Sequence, residues 1–212
     1  MSIQRAEIDF GVVLMSMLIR DVQEHELDAI LAMNNAAGSG ILPMNPSQID
    51  YFWQNAHYFR VAESDNCLVG FLIALTQEAN YESSNFNWFK EHYPHFFYVD
   101  RIVIAQGQRN TGIGRLFYAD ALSFAEVRAP AIVAEVFMKK STHPALLFHG
   151  SFGFHEVGQH QIPGTSLRAA MLYKELKNYD FVKQTYGDKL PPVNWLNERQ
   201  RPLHSAHLAT GT

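Results

Sequence analysis

A single cysteine, Cys67, is all the thiol chemistry that the 212 residues offer. It excludes an intramolecular disulfide framework and any cysteine-based zinc site, and it fits a reducing, cytoplasmic setting. By residue type Cys67 is expected to act as a small buried hydrophobe. Long apolar runs are missing as well. The longest near the start, Phe10 to Ile19, contains Gly11 and Ser16 and is about half of what a membrane span requires. It follows Glu7 and Asp9, where a secretory leader would carry basic residues, so no leader is expected. Nor is there an excess of basic charge. Seventeen Lys and Arg stand against 21 Asp and Glu, a net charge of −4, which argues against binding nucleic acid or a membrane surface. No repeat or low-complexity tract interrupts the chain.

What is present is 47% apolar and 13% aromatic residues, enough to bury the core of one globular domain. The charge is uneven. Residues 1–100 hold four basic and thirteen acidic residues, whereas residues 101–140 hold six basic (Arg101, Arg109, Arg115, Arg128, Lys139, Lys140) and three acidic. A short basic segment in an acidic protein suits one anionic ligand of limited size.

Leu14 to Arg20 reads as a strand. Asp21 and Glu24 then have the spacing of a helix cap and its reciprocal partner, and Val22, Leu27, Ile30, Leu31 and Met33 recur at helical spacing up to the stop Gly38-Ser39-Gly40. A short helix follows Pro46-Ser47. Tyr58–Glu63 and Leu68–Leu75 form a hairpin around Ser64, Asp65 and Asn66. Asn80–His95 reads as a long irregular loop of the kind that carries function. Phe96–Ala105 is a strand, Gly112 opens a helix, Ala131–Met138 is a further strand, and Pro144–Ser151 is a helix with Pro in its first turn. Phe154–Val157 and Ala169–Leu176 complete the strands. Residues 1–16 and 177–212 extend from a core of residues 17–176.

The chemistry concentrates at Arg109-x-x-Gly112-x-Gly114, where a strand meets a tight turn and a helix N-terminus. Free backbone N–H groups and the helix dipole there favour an anion such as phosphate. The dinucleotide fingerprint fails because Phe117 stands where its third glycine belongs, and the Walker motif fails because Ile113 and Gly114 replace its Lys and Ser/Thr.

Arg109-x-x-Gly112-x-Gly114 resembles the R/Q-x-x-G-x-G/A motif of the GNAT acyltransferase superfamily. Pro144 followed by Phe148, His149, Gly153 and Phe154 resembles the element in which the last core helix of those enzymes enters its next strand. Tyr81, Ser83, Asn85, Trp88 and Phe89, followed by Tyr98, Val99, Asp100, Arg101 and Ile102, resemble a bacterial branch of GNAT proteins of unassigned substrate. The resemblance spans residues 17–176. It implies an α/β (α+β) fold: a mixed, mostly antiparallel sheet of about seven strands, splayed between the fourth and fifth and flanked by about four helices. It also implies that acetyl-CoA or another acyl-CoA enters the splay as co-substrate. Ile102, Val103 and Ile104 would offer backbone groups to the pantetheine. Arg109, Asn110, Thr111, Gly112, Ile113, Gly114 and Arg115 would hold the pyrophosphate, and Phe148 completes the implied cofactor contacts.

Acyl transfer to an amine needs a base for an ammonium whose pKa is about 10, donors for the oxyanion of a tetrahedral intermediate, and a proton for the leaving thiolate. Amides near Val103 are expected to serve the oxyanion. Asp100 and Glu135, on the strands flanking the splay, are candidate bases, acting directly or through water. Strand alternation puts Tyr98, Asp100, Ile102 and Ile104 on one face and makes Tyr98 a third candidate. Family members often carry a Tyr proton donor in the helix after the fifth strand; the matching position here is read as Phe148, with His149 pointing elsewhere and Thr142-His143 replacing the usual Asn before Pro144. His143 and His149 lack zinc-helix spacing, so no metal site is expected. Tyr81, Ser83, Asn85 and Trp88 are the candidate acceptor site, and the acidic residues 1–100 suit a cationic small-molecule or peptide amine.

The favoured reading is an N-acetyltransferase that moves an acetyl group from acetyl-CoA to a primary amine by direct attack. One rival is a CoA-binding regulatory or sensor module with little activity. A third reading is an interaction protein whose tail, with Tyr186, Trp195 and Leu196, docks on a partner. A homodimer is an assembly the sequence allows.

Overall fold

A computed structural model describes residues 17–138 and 143–187; residues 1–16, Lys139, Lys140, Thr142, Trp195, Leu196 and the His143 side chain lie outside the described set. Seven strands make one sheet: β1 (Met17–Asp21), β2 (Tyr58–Ser64), β3 (Cys67–Thr76), β4 (Phe97–Ile104), β5 (Ala131–Phe137), β6 (His155–Gln161) and β7 (Arg168–Glu175). Their order is β1-β2-β3-β4-β5-β7-β6. All neighbours run antiparallel except β4 and β5, which are parallel. The β2–β3 hairpin turns through Asp65 and Asn66, at φ +49° and +62°. Such a two-residue turn demands the left-handed region twice, and Asp and Asn tolerate it best after Gly.

Six helices flank the sheet among the described residues: α1 (Leu27–Asn35), α2 (Pro46–Asn55), α3 (Ser84–His92), α4 (Ile113–Glu126), α5 (His143–Ser151) and α6 (Tyr179–Tyr186). One face is covered by α1, α2 and α3 through Ile30, Ile49, Phe52, Phe86 and Phe89. The other is covered by α4, with Ile113, Phe117, Tyr118, Ala121 and Phe124, and by α5. Coverage on both faces explains why β2 and β3 are buried almost residue by residue instead of alternating. In α2 the Asn45 side chain accepts from Gln48 N and Gln48 Oε1 accepts from Asn45 N, both at 2.9 Å, with Pro46 at the first helical position.

Three expectations are corrected. The reciprocal cap after β1 does not join Asp21 and Glu24. Glu26 accepts from Gln23 N at 2.7 Å, while Asp21 accepts from Arg60 Nε at 3.1 Å, because a buried guanidinium outcompetes a solvated cap for the carboxylate. Asn80–His95 is not irregular, since α3 occupies its middle. Ser83 Oγ accepts from Phe86 N, and Phe86 and Phe89, one turn apart, are both buried. Cys67 is exposed rather than buried, because it starts β3 directly after the turn. α3, and α6 in the C-terminal extension, bring the helices from about four to six.

Candidate active site at the fork of the sheet

β4 and β5 pair over only three rungs, Phe97 with Ile132, Tyr98 with Val133 and Val99 with Ala134. The next residues, Asp100 and Glu135, stand where the ladder stops and the strands part. The cause is local. β3 pairs Ala74 with Val99 but Ile73 with Arg101, so Asp100 is an extra residue bulged out of β4, and a bulge bends its strand. The bulge also overturns the expected alternation. Tyr98 and Val103 belong to the core beneath α1–α3, whereas Val99, Ile102 and Ile104 pack on the opposite side. Tyr98 therefore does not share a face with Ile102 and Ile104.

The same register decides which amides are free. Ala105 N donates to Val69 O at 2.9 Å. In an antiparallel ladder residues two apart behave alike. Val103 therefore turns its N–H and C=O to Phe71, its partner on β3, and Ile102 and Ile104 turn theirs outward into the fork. The expectation that Val103 would present its backbone there is corrected: the outward groups belong to its two neighbours.

The fork opens into a cleft of about 930 Å³, walled by the α1–α2 loop (Ala36 to Ile41), β4, the Arg109–Arg115 turn, β5 and α5. The turn is built as its motif demands. Asn110 and Gly112 have φ of +64° and +93°, and Gly112 caps α4. A Cβ on Gly114 would lie 3.2 Å from the Phe148 ring, so glycine lets α4 and α5 approach. Arg115 N and Leu116 N both donate to Gly112 O, at 2.9 and 3.1 Å. The Arg115 amide is thus engaged within the helix, contrary to its expected place in the cradle, and its side chain is exposed. Thr111 Oγ1 donates to Gln108 O at 2.7 Å. Arg109 clamps two carbonyls, Ala37 O at 2.9 Å and Ile104 O at 3.4 Å, tying the α1–α2 loop to the end of β4. Gly38-Ser39-Gly40, expected as a helix stop, also lines the cleft.

The two carboxylates differ. Asp100, 4% exposed, is held by Arg101 Nε at 2.6 Å and by the Tyr81 hydroxyl at 2.7 Å. Arg101 continues to Asn34 Oδ1 at 2.9 Å, anchoring β4 to α1. Glu135 accepts from the Tyr98 hydroxyl at 2.9 Å and from Asn85 Nδ2 at 3.2 Å, both on Oε1. Its Oε2 is buried with no partner, as is Asn85 Oδ1. Burial, reinforced by the nearby negative Asp100, pushes the Glu135 pKa up to about 8, against the pull of its hydrogen bonds with Tyr98 and Asn85 and the charge of Arg101. Tyr98 and Tyr81 are driven well above the usual tyrosine range by burial and these same carboxylates, so both stay neutral donors.

Of the expected acceptor residues, Tyr81 and Asn85 reach the carboxylates. Ser83 instead caps α3, and Trp88 lies over Gly158, which has no side chain to obstruct it, and stacks on His92 with ring centroids 3.9 Å apart. Phe148 lines the cleft as expected, but His149 does not point elsewhere: it is 7% exposed and lines the same end. Its Nδ1 lies 2.8 Å from Ala145 O, which can only accept, so Nδ1 carries the proton and Nε2 accepts from the Tyr118 hydroxyl at 2.7 Å. Burial lowers the His149 pKa and keeps the ring neutral. Tyr118 was missed in the sequence because at its place in α4 it reads as one more apolar helix position.

Comparison with known proteins fits this fold. Ribosomal-protein-S18-alanine N-acetyltransferase from Escherichia coli superposes with a TM-score of 0.59 at 13% identity, covering 76% of this chain and 94% of its own. Ribosomal-protein-alanine N-acetyltransferase from Brucella melitensis gives 0.56 at 22%, covering 75% and 99%. An N-acetyltransferase from Staphylococcus aureus gives 0.56 at 16%, covering 76% and 99%. At these identities the likeness shows the fold. No curated protein matches the sequence significantly. Residues 27–154, well over half of the chain, match the model of the acetyltransferase (GNAT) family, which with the splayed sheet and the glycine turn at its mouth makes this chain a member of that family.

Proposed function

We propose that the protein is an N-acetyltransferase that transfers the acetyl group of acetyl-CoA to a primary amine by direct attack, with Glu135 as the base. The observation that carries this reading is Glu135 itself. It is a carboxylate at the point where the sheet opens, held on one oxygen, with a pKa raised to about 8. A base is most effective when its pKa lies near the working pH.

Acetyl-CoA supplies an activated acyl group and a thiolate leaving group. The residues suit it. The outward amides of Ile102 and Ile104 offer an extended pantetheine the pairing that β5 gives up. The Ile113 and Gly114 amides and the Arg109 guanidinium meet a pyrophosphate at the N-terminus of α4. The balance is R–NH3+ plus acetyl-CoA giving the N-acetyl amine, CoA thiol and one proton. Glu135 takes the first ammonium proton, directly or through a water; the second nitrogen proton leaves after attack and reaches the thiolate. Tyr98 and Asn85 hold the Glu135 carboxylate in place, and Tyr81 and Arg101 occupy the two oxygens of Asp100. Residues 17–176 would then form the catalytic domain between two extensions, working in the cytoplasm. No helix among the described residues is long and apolar enough to cross a membrane.

Thiol release from acetyl-CoA across a panel of amines tests the reading. Turnover with at least one amine, rising with pH through about 8 and losing that rise in Glu135→Gln, is expected. Acetyl-CoA binding with no turnover on any amine would sink it in favour of a binding module.

A further inference from the structure

Among the described residues, three side-chain polar atoms are buried without a hydrogen-bond partner: Asn85 Oδ1, Glu135 Oε2 and His160 Nε2. The first two belong to side chains that already share a hydrogen bond, Asn85 Nδ2 to Glu135 Oε1 at 3.2 Å. Asn85 is only 4% exposed and has no solvent with which to make up the loss. While Glu135 is ionised both atoms are acceptors and neither can satisfy the other, and a buried unsatisfied acceptor is costly. One proton solves both. An amide and a carboxylic acid that share N–H to C=O can close a second bond, O–H to C=O, in a planar eight-membered ring.

We propose that Asn85 is a positioning residue that captures the protonated form of Glu135: the proton on Oε2 is donated to Asn85 Oδ1, closing a cyclic amide–acid pair. The claim rests on Glu135 as the base and adds what happens to the proton after transfer. The proton leaves the acceptor ammonium, the O–H bond forms at Oε2, and the new hydrogen bond to Asn85 turns that proton away from the amine nitrogen. It later leaves to solvent when Glu135 reionises. Asn85 thus stabilises the ionised state through Nδ2 and the protonated state through Oδ1.

The groups facing Glu135 leave this task to Asn85. Tyr98 from β4 donates to Oε1. Asp100 is occupied by Arg101 and Tyr81. Tyr118 from α4 donates to His149 of α5. From β7 the register partner of Glu135 is Met171, which offers no acceptor oxygen from its side chain. The raised pKa of Glu135 agrees with a protonated form that has a place to sit.

Isotope-edited infrared spectroscopy of the full chain labelled with 13C at Glu carboxyls tests the claim, with Glu135→Gln assigning the band. The wild type is expected to show, below pH 8, a protonated carboxyl band at the frequency of a hydrogen-bond-donating acid. Asn85→Leu should move the band to the free-acid position. A free-acid band in the wild type overturns the proposal with no variant needed. So does a band that stays at the hydrogen-bonded position in Asn85→Leu, which would mean that another group receives the proton. If Glu135→Gln keeps wild-type kcat/KM and its pH profile, Glu135 is not the base, yet the band still decides whether Asn85 holds its proton.

Discussion

Asp120 and Glu135, like Asp100, each accept from a tyrosine hydroxyl, and the surroundings of the first two differ. Asp120 on α4 accepts from the Tyr58 hydroxyl at 2.6 Å on Oδ2 and from Arg60 Nη1 at 2.9 Å on Oδ1 and 2.7 Å on Oδ2, while Arg60 Nε also reaches Asp21. Every oxygen is engaged and a full positive charge answers it. Glu135 has two neutral donors on one oxygen and none on the other. The first arrangement ties β1 and β2 to α4. The second leaves a carboxylate, the proposed base, whose ionisation burial holds back. Full satisfaction is a sign of structure, and partial satisfaction at an opening in the sheet is a sign of chemistry.

That contrast can be broken from either side. The largest effect belongs to Glu135→Gln, which should lower kcat/KM by about 10²–10⁴-fold while leaving the fold intact. The same variant should change stability in the opposite sense. The folded pKa of about 8 lies above the ordinary value of 4.5, so between them the folded state holds a proton that the unfolded chain lacks. Wild-type stability should therefore be full below about pH 4.5 and decline as pH rises to 8, whereas Glu135→Gln should lose that decline. Denaturant midpoints at pH 5 and pH 9 measure it; equal slopes for both proteins would refute the burial argument.

Asp120→Ala should do the reverse, costing about 3 kcal/mol because it takes from the buried Arg60 the nearer of its two carboxylate partners, with kcat unchanged. Chemical denaturation paired with a rate assay reads both. Gly114→Val should follow at about 1–2 kcal/mol from crowding Phe148 and should raise KM for acetyl-CoA. The smallest effect is expected at Cys67→Ser, within about 0.5 kcal/mol, and the native thiol should react with an aromatic disulfide reagent without denaturant, as an exposed group does.

The sheet was largely legible in the sequence because its signals are local: apolar runs, Asp65-Asn66 and the Gly112 turn each act within a few residues. The glycine turn that opens α4 was legible for the same reason. The pieces that escaped depend on contacts between distant segments. The bulge at Asp100 is a register event between β3 and β4 that alternation counting cannot see, and it reversed the faces assigned to Tyr98 and Ile102. The choice of Ile102 and Ile104 over Val103 follows from that register too. α3 was hidden by its polar residues, although Ser83 and the Phe86–Phe89 spacing were signals available to a reader. Asp21 was misread because its true partner, Arg60, lies 39 residues away.

Three rungs between β4 and β5 also make a weak seam. The chain is two half-sheets, a four-stranded meander and a three-stranded remainder, stitched over one short stretch and bridged by α4. A ligand lying along Ile102 and Ile104 would act as the missing stitching and raise the melting temperature with its concentration. Amide exchange would register it residue by residue. Without ligand, Ile102 and Ile104 should exchange quickly while Val103 between them stays protected by β3, and loading the cleft should erase that odd-even pattern.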